Sequence, residues 1–283
     1  MVDEIRKGGG SVLLVDCGAL FDTTTQDKAE LLLTAMEMMG YDALNLGGPE
    51  FFYGKAFLEH TRSHASFPYI ASNLLSGGNP LPWTKEYIIK EVGGSKVAIL
   101  GVMNPAELAQ IPDQERVKGL EVLPPEPALK KLLAEVRGKA DLVVLLSRFD
   151  VEKTRELVLA VGGIDVAVSS GSDDVFFAKP IENAILLQTG SLGRTIGLLK
   201  VALDGNGKIG VIDRRHVRLD HTVPDNEQVA RLVQTFNETQ VQKAAQASEQ
   251  RRKELMDGLR LSPEEFMERY RKEQTGSSKG EAR

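Results

Sequence analysis

Residues 39–54 read MGYDALNLGGPEFFYG. Gly40 stops an amphipathic helix that runs from Asp27, and DALNLG follows as a short apolar strand. Two glycines and a proline then make a loop, a run of aromatic residues follows, and YGKAFLEHTRSH returns to helical spacing. A strand set between two helices is the unit of an α/β fold, and the loop after it lies where such folds build their sites.

The same alternation extends on both sides. SVLLVDCGALF (Ser11 to Phe21) reads as a buried strand, and FPYIASNLL as a strand after Pro68. Tyr87 to Val92 and Lys96 to Met103 flank a Gly-Gly turn and predict a hairpin. EPALKKLLAEVRGKA and VEKTRELVLAVGG are helices; DLVVLLS (Asp141 to Ser147) and IDVAVSS are strands. NAILLQTG and TIGLLKVALDGNGKIGVIDRRHVRL are expected to be antiparallel strands, with DGNGK as the turn. From Pro224 the composition turns polar and helical up to Gly258. SPEEFMERY then carries Ser262 as N-cap, Pro263 at the first helical position and Glu265 to close a capping box. A boundary falls near Thr222 to Asp225. It separates a main domain (1–224) from a helical extension (225–273) and a tail expected to be disordered (274–283).

The balance of 42% hydrophobic and 27% charged residues over 283 is that of a globular protein. A net charge of -5 excludes the electrostatic class of nucleic-acid binder, and no apolar run reaches the roughly 18 residues of a membrane helix. The single cysteine, Cys17, permits neither an internal disulfide nor a cysteine zinc cluster.

VLLVDCGALF resembles the lllDaGDlf segment of the metallophosphoesterases, in their periplasmic 5′-nucleotidase branch. MGYDALNLGGPEFFYG resembles lgyDa…GNHEFDyG of the same family. FPYIASN, KVAILGV, ADLVVLLS, GIDVAVSS and ILLQTGSLGRTIGLLKVAL keep the family's order from Val12 to Pro224. The resemblance implies an α/β, metallo-dependent phosphatase-like αββα sandwich. It also implies a two-metal hydrolase, in which two cations about 3.5–4 Å apart clamp a phosphate. By that register the bridging Asp falls on Ala19, the Asn and catalytic His of the GNHE loop on Gly48 and Pro49, and the following Asp on Phe52. The next His falls on Arg148, and the last pair on Gly171 and Asp173. Only Asp173 keeps a side chain that can hold a cation. The loop keeps the frame (Glu50, Tyr53, Gly54) and has lost the ligands. The expectation is a 5′-nucleotidase-like chain without dimetal hydrolysis and without a cofactor. The competing expectation is a surviving hydrolase with a divalent metal held by Asp173 and by ligands upstream.

Two readings stand for Cys17, a small core residue or a catalytic redox thiol whose pKa Arg148 lowers. Two stand for Arg148, an anion-binding side chain in an emptied metal site or a surface Arg at a strand end. His60 and His64 share a helix face and read as solvated; His216 and His221 carry no assigned role. The family's first strand, with its D-x-H ligands, would precede residue 1, and MVDEIRK reads as the end of the helix after it. The chain as written is expected to be cytoplasmic, or periplasmic if a longer N-terminus carries a signal. The expected partners are a small anion and, through the C-terminal helix, another copy or another protein.

Overall fold

The computed structural model describes residues 2–21, 25–170, 179–188, 190, 193–204, 209–259 and four more, 264, 265, 267 and 268. The chain forms two compact units, Met1–Asp225 and Asn226–Arg283.

The first unit opens with α1 (Val2–Lys7), β1 (Val15–Asp16), α2 (Gln26–Met39) and β2 (Ala43–Asn45). Thr25 caps α2 by accepting from the Lys28 N–H, and Gly40 ends it at φ 68°, where its N–H reaches the Met36 and Glu37 carbonyls. Arg6 of α1 donates to the Met39 and Gly40 carbonyls at 2.9 and 2.8 Å, which satisfies the end of α2. A 3-10 turn (Gly48–Tyr53) leads into α3 (Lys55–His64), β3 (Tyr69–Ile70), β4 (Leu74–Ser76), β5 (Asn79–Pro80), β6 (Tyr87–Val92) and β7 (Ser95–Val102). Next come α4 (Ala106–Ala109), β8 (Leu120–Val122), α5 (Pro125–Val136), β9 (Leu142–Ser147), α6 (Val151–Val161) and β10 (Val166–Ser169). The unit closes with β11 (Lys179–Ile181), β12 (Ala184–Gln188) and the ribbon β13 (Thr195–Leu203) and β14 (Ile209–Arg218).

Two sheets form the centre. One is parallel, in the order β1-β2-β3; the other runs β11-β12-β10-β9-β7-β6, parallel except for its two edge strands. Strand alternation sorts their side chains into three apolar layers. Ala43 and Ile70 meet Val97, Ile99, Val144 and Leu146 between the sheets. Leu44 and Tyr69, on the other face of the first sheet, meet Leu33 and Met36 of α2 and Leu58 of α3. Ala98, Leu100, Val143 and Leu145 meet Leu129 and Leu133 of α5 and Leu157 of α6. The order is helix, sheet, sheet, helix: the αββα sandwich.

Three sequence readings change. The strand expected over Ser11–Phe21 pairs only at Val15 and Asp16, because the Asp42 carboxylate takes the Leu14 N–H at 2.7 Å and Gly18 turns the chain away at φ 89°. Ala184–Gln188 runs parallel to β10, its antiparallel partner being β11. The residue 46–54 loop is wound into the 3-10 turn. The β13–β14 pair is antiparallel as expected, while residues 205–208 of its expected turn lie outside the described residues.

The second unit is α7 (Glu227–Leu259), where Asn226 accepts from the Gln228 and Val229 N–H groups at 3.0 and 3.2 Å. Ser262 and Pro263 of the expected capping box lie outside the described residues. No described helix is long and apolar enough to cross a membrane.

Candidate functional site

Four strands, β1, β2, β7 and β9, deliver their C-terminal ends to one place, two from each sheet. Asn45, at the end of β2, is fully buried there. Its amide nitrogen donates to the Cys17, Val102 and Leu146 carbonyls at 3.2, 3.3 and 3.4 Å, tying both sheets together. Its Oδ1 has no hydrogen-bond partner because it rests on Gly101, where any Cβ would collide with it. Leaving it unpaired costs about 1–3 kcal/mol, which the three donor contacts offset.

Arg148 leaves the end of β9 and meets Glu107 of α4. Its Nη2 and Nε donate to Glu107 Oε1 at 2.8 and 3.2 Å, and its Nη1 donates to the Gly18 carbonyl at 3.2 Å. The other Glu107 oxygen accepts the Gly48 N–H at 2.7 Å. The two side chains are only 12% and 13% exposed. Burial pulls the Arg148 guanidinium down, but Glu107 and then Glu50 outweigh it, so it titrates above its ordinary value.

Glu50 is wholly buried below this pair and accepts the Leu20 and Gly47 N–H groups at 2.6 and 2.8 Å. Asp16 accepts the Gly18 N–H at 2.8 Å. Burial raises the pKa of both carboxyls, against the field of Arg148 and the N–H donors. Ala19 follows at φ 66°, a left-handed backbone that a residue with a Cβ adopts only under constraint. A cleft of about 260 Å³ opens here, with Phe21, Pro49, Phe52 and Ile111 as walls and Glu107 and Arg148 at its polar end.

No protein-family model matches the chain. It is 31% identical over 144 residues to an uncharacterized metallophosphoesterase of Bacillus subtilis, covering 50% of this chain and 30% of that protein. It is 29% identical over 157 residues to a 5′-nucleotidase of Vibrio cholerae, covering 52% of this chain and 28% of that protein. The chain thus spans about three tenths of the length of these relatives. The fold matches a 5′-nucleotidase precursor from Thermus thermophilus with a TM-score of 0.73 at 19% identity, over 85% of this chain and 52% of that one. The chain is similar in sequence to metallophosphoesterases and 5′-nucleotidases and shares the 5′-nucleotidase fold.

The positions onto which the resemblance maps the family's metal ligands and catalytic residues lie close together. Pro49, Phe52 and Arg148 line the cleft, Gly48 touches Glu107, and the carbonyl before Ala19 accepts from Arg148. Gly171 and Asp173 lie outside the described residues. Among the described residues, no group of three or more His, Cys, Asp or Glu side chains is placed to hold a metal.

Cys17 points between the sheets, its Sγ donating to the Val168 carbonyl at 3.2 Å. Part of the residue is exposed, yet burial of the thiol, with Asp16 second, pushes its pKa up to about 12. The lowering expected from Arg148 is present but smaller than the desolvation. His60 and His64 are exposed, with ring centroids 4.8 Å apart, and His216 Nε2 lies 2.8 Å from the Gln188 carbonyl. Glu107 escaped the sequence reading. The available signal was an acidic residue in NPAEL, the loop and short helix that follow the C-terminal end of a parallel strand.

Proposed function

We propose that this chain recognises a small anionic ligand at Arg148 and does not carry out two-metal phosphoester hydrolysis. The observation that carries the reading is the guanidinium itself, fixed at the polar end of the cleft where the family register puts a metal-binding His. A two-metal centre takes carboxylate, Asn and His donors. Phe21, Pro49, Phe52 and Ile111 offer none, and the one carboxylate lining the cleft is engaged by Arg148 and Gly48. A permanent positive charge also repels divalent cations where they would need negative partners. This lining supports a reading without two metals among the described residues.

Anion recognition suits the same residues. Arg148 has five N–H donors, of which Glu107 and Gly18 engage three. The partly exposed Phe52 ring gives a planar apolar part of a ligand, such as a nucleoside base, a surface to pack on. At neutral pH the Cys17 thiol stays protonated, which withholds the thiolate that redox chemistry needs.

The test has two arms. Titration calorimetry with inorganic phosphate and with a nucleoside 5′-monophosphate is expected to show binding that disappears in Arg148→Met. Assays of nucleoside 5′-monophosphate hydrolysis with manganese, magnesium or zinc are expected to stay at background. Turnover that rises with added metal and vanishes with a chelator would overturn the proposal.

A further inference from the structure

Glu107 meets the site in the manner of a bound anion. One carboxylate oxygen takes two N–H groups of the Arg148 fork, and the other takes the Gly48 N–H at 2.7 Å and a longer contact from Arg148 Nε at 3.4 Å. A guanidinium fork joined to a glycine N–H is a donor set that phosphate and carboxylate ligands use. The approach depends on the absence of side chains at two positions. A Cβ at Gly48 would stand 2.6 Å from Glu107 Cβ and 2.8 Å from the Glu107 carbonyl. One at Gly47 would stand 2.6 Å from Arg148 Nε and 3.0 Å from Glu107 Oε2. The seat is therefore shaped around a carboxylate that the chain itself supplies.

The segment carrying that carboxylate is short and largely exposed, and besides Glu107 it is tied down by Gln114, whose Nε2 donates to the Leu108 and Ile111 carbonyls. The helix α4 has 4 residues, and Pro105, Ala106, Ala109 and Gln110 around Glu107 are exposed. Only Leu108 and Ile111 are buried in the apolar layer below. Moving Glu107 outward would uncover Arg148 and the Gly48 N–H at the end of a cleft already lined by both side chains.

We infer that Glu107 is an internal competitor for the anion seat, and that residues 104–110 form an autoinhibitory strap which an oxyanion ligand must displace. This rests on the reading of Arg148 as an anion-binding residue. A tethered carboxylate acts at high effective concentration, so the seat is open in only a fraction of molecules. Affinity for an external anion falls by that fraction.

The experiment is titration calorimetry with inorganic phosphate on the full chain, comparing wild type, Glu107→Gln, Arg148→Met and the double variant, each checked for folding by circular dichroism. The Gln side chain keeps the shape of Glu107 and removes its charge. Glu107→Gln is expected to bind phosphate at least about tenfold tighter than wild type, while both variants carrying Arg148→Met bind none. Equal affinity in wild type and Glu107→Gln, lost with Arg148→Met, would overturn the strap and leave the anion seat standing. Phosphate binding by none of the folded proteins would overturn the seat, and the strap with it. Hydrogen exchange on wild type reads the strap without a substitution. Saturating phosphate is expected to speed exchange of the 107–110 amides, and unchanged exchange would refute the displacement.

Discussion

Replacing Arg148 by Met keeps most of the aliphatic stem and deletes four hydrogen bonds, three to Glu107 and one to the Gly18 carbonyl. The size of the loss follows from burial. Exposed ion pairs contribute about 0–1 kcal/mol, whereas removing one partner of a buried pair costs about 3–5 kcal/mol. With side chains 12% and 13% exposed, this pair lies nearer the buried limit, but Glu107 keeps the Gly48 N–H after the change. The expected cost is about 2–3 kcal/mol, a fall in Tm of about 5–10 °C for a domain of this size. Urea unfolding at unchanged m-value is the assay. In a double-mutant cycle, Glu107→Gln lowers the cost of Arg148→Met, because no unpaired carboxylate remains. The coupling is expected at about 1–2 kcal/mol. An Arg148→Met cost under about 0.5 kcal/mol, or strict additivity with Glu107→Gln, would refute the view that the two side chains form one buried unit.

Gly18→Ala is expected to cost about 2–4 kcal/mol in urea unfolding, since the residue sits at φ 89° and a Cβ would strike the Asn45 carbonyl; a neutral result would mean the turn can relax. Alkylation of Cys17 by iodoacetamide at about pH 8 is expected to be about a thousandfold slower than that of a free thiol, from the thiolate fraction at a pKa of about 12 against 9.0. A rate within tenfold of free cysteine would contradict the burial argument. Glu50 holds its proton to higher pH in the folded chain than in the unfolded one. The stability this supplies is present below the ordinary carboxylate range and declines as pH rises through the raised value. The margin of wild type over Glu50→Gln, measured from about pH 4 to about pH 8, should therefore shrink as pH rises; a growing margin would reverse the assigned sign.

Much of this fold is legible in local spacing. Leu129, Leu132, Leu133 and Val136 mark the buried face of α5 at helical intervals, and LVVLLS is apolar on both faces because β9 is covered on both. Gly40 announces the end of α2 because a left-handed residue closes it. The direction of β12 was not legible, since an apolar strand of five residues reads alike whether its neighbour runs with it or against it. The shortness of β1 was hidden as well. An apolar run does not say where pairing stops, and Asp42 and Gly18 decide that through the backbone.

The candidate site divides along the same line. Sequence alone supplied the expectation, from the family resemblance, that Ala19 and Gly48 stand at metal-ligand positions and Pro49 and Phe52 at those of the catalytic His and the following Asp, and it showed that Arg148 brings a permanent charge, because residue chemistry needs no coordinates. Tertiary structure alone decided that Glu107, 41 residues away, answers that charge and that Cys17 lies between two sheets, where burial raises the pKa of its thiol. Both depend on which strand ends the two sheets bring together. Contact across that distance and removal from water are properties of packing, which no local pattern of residues records.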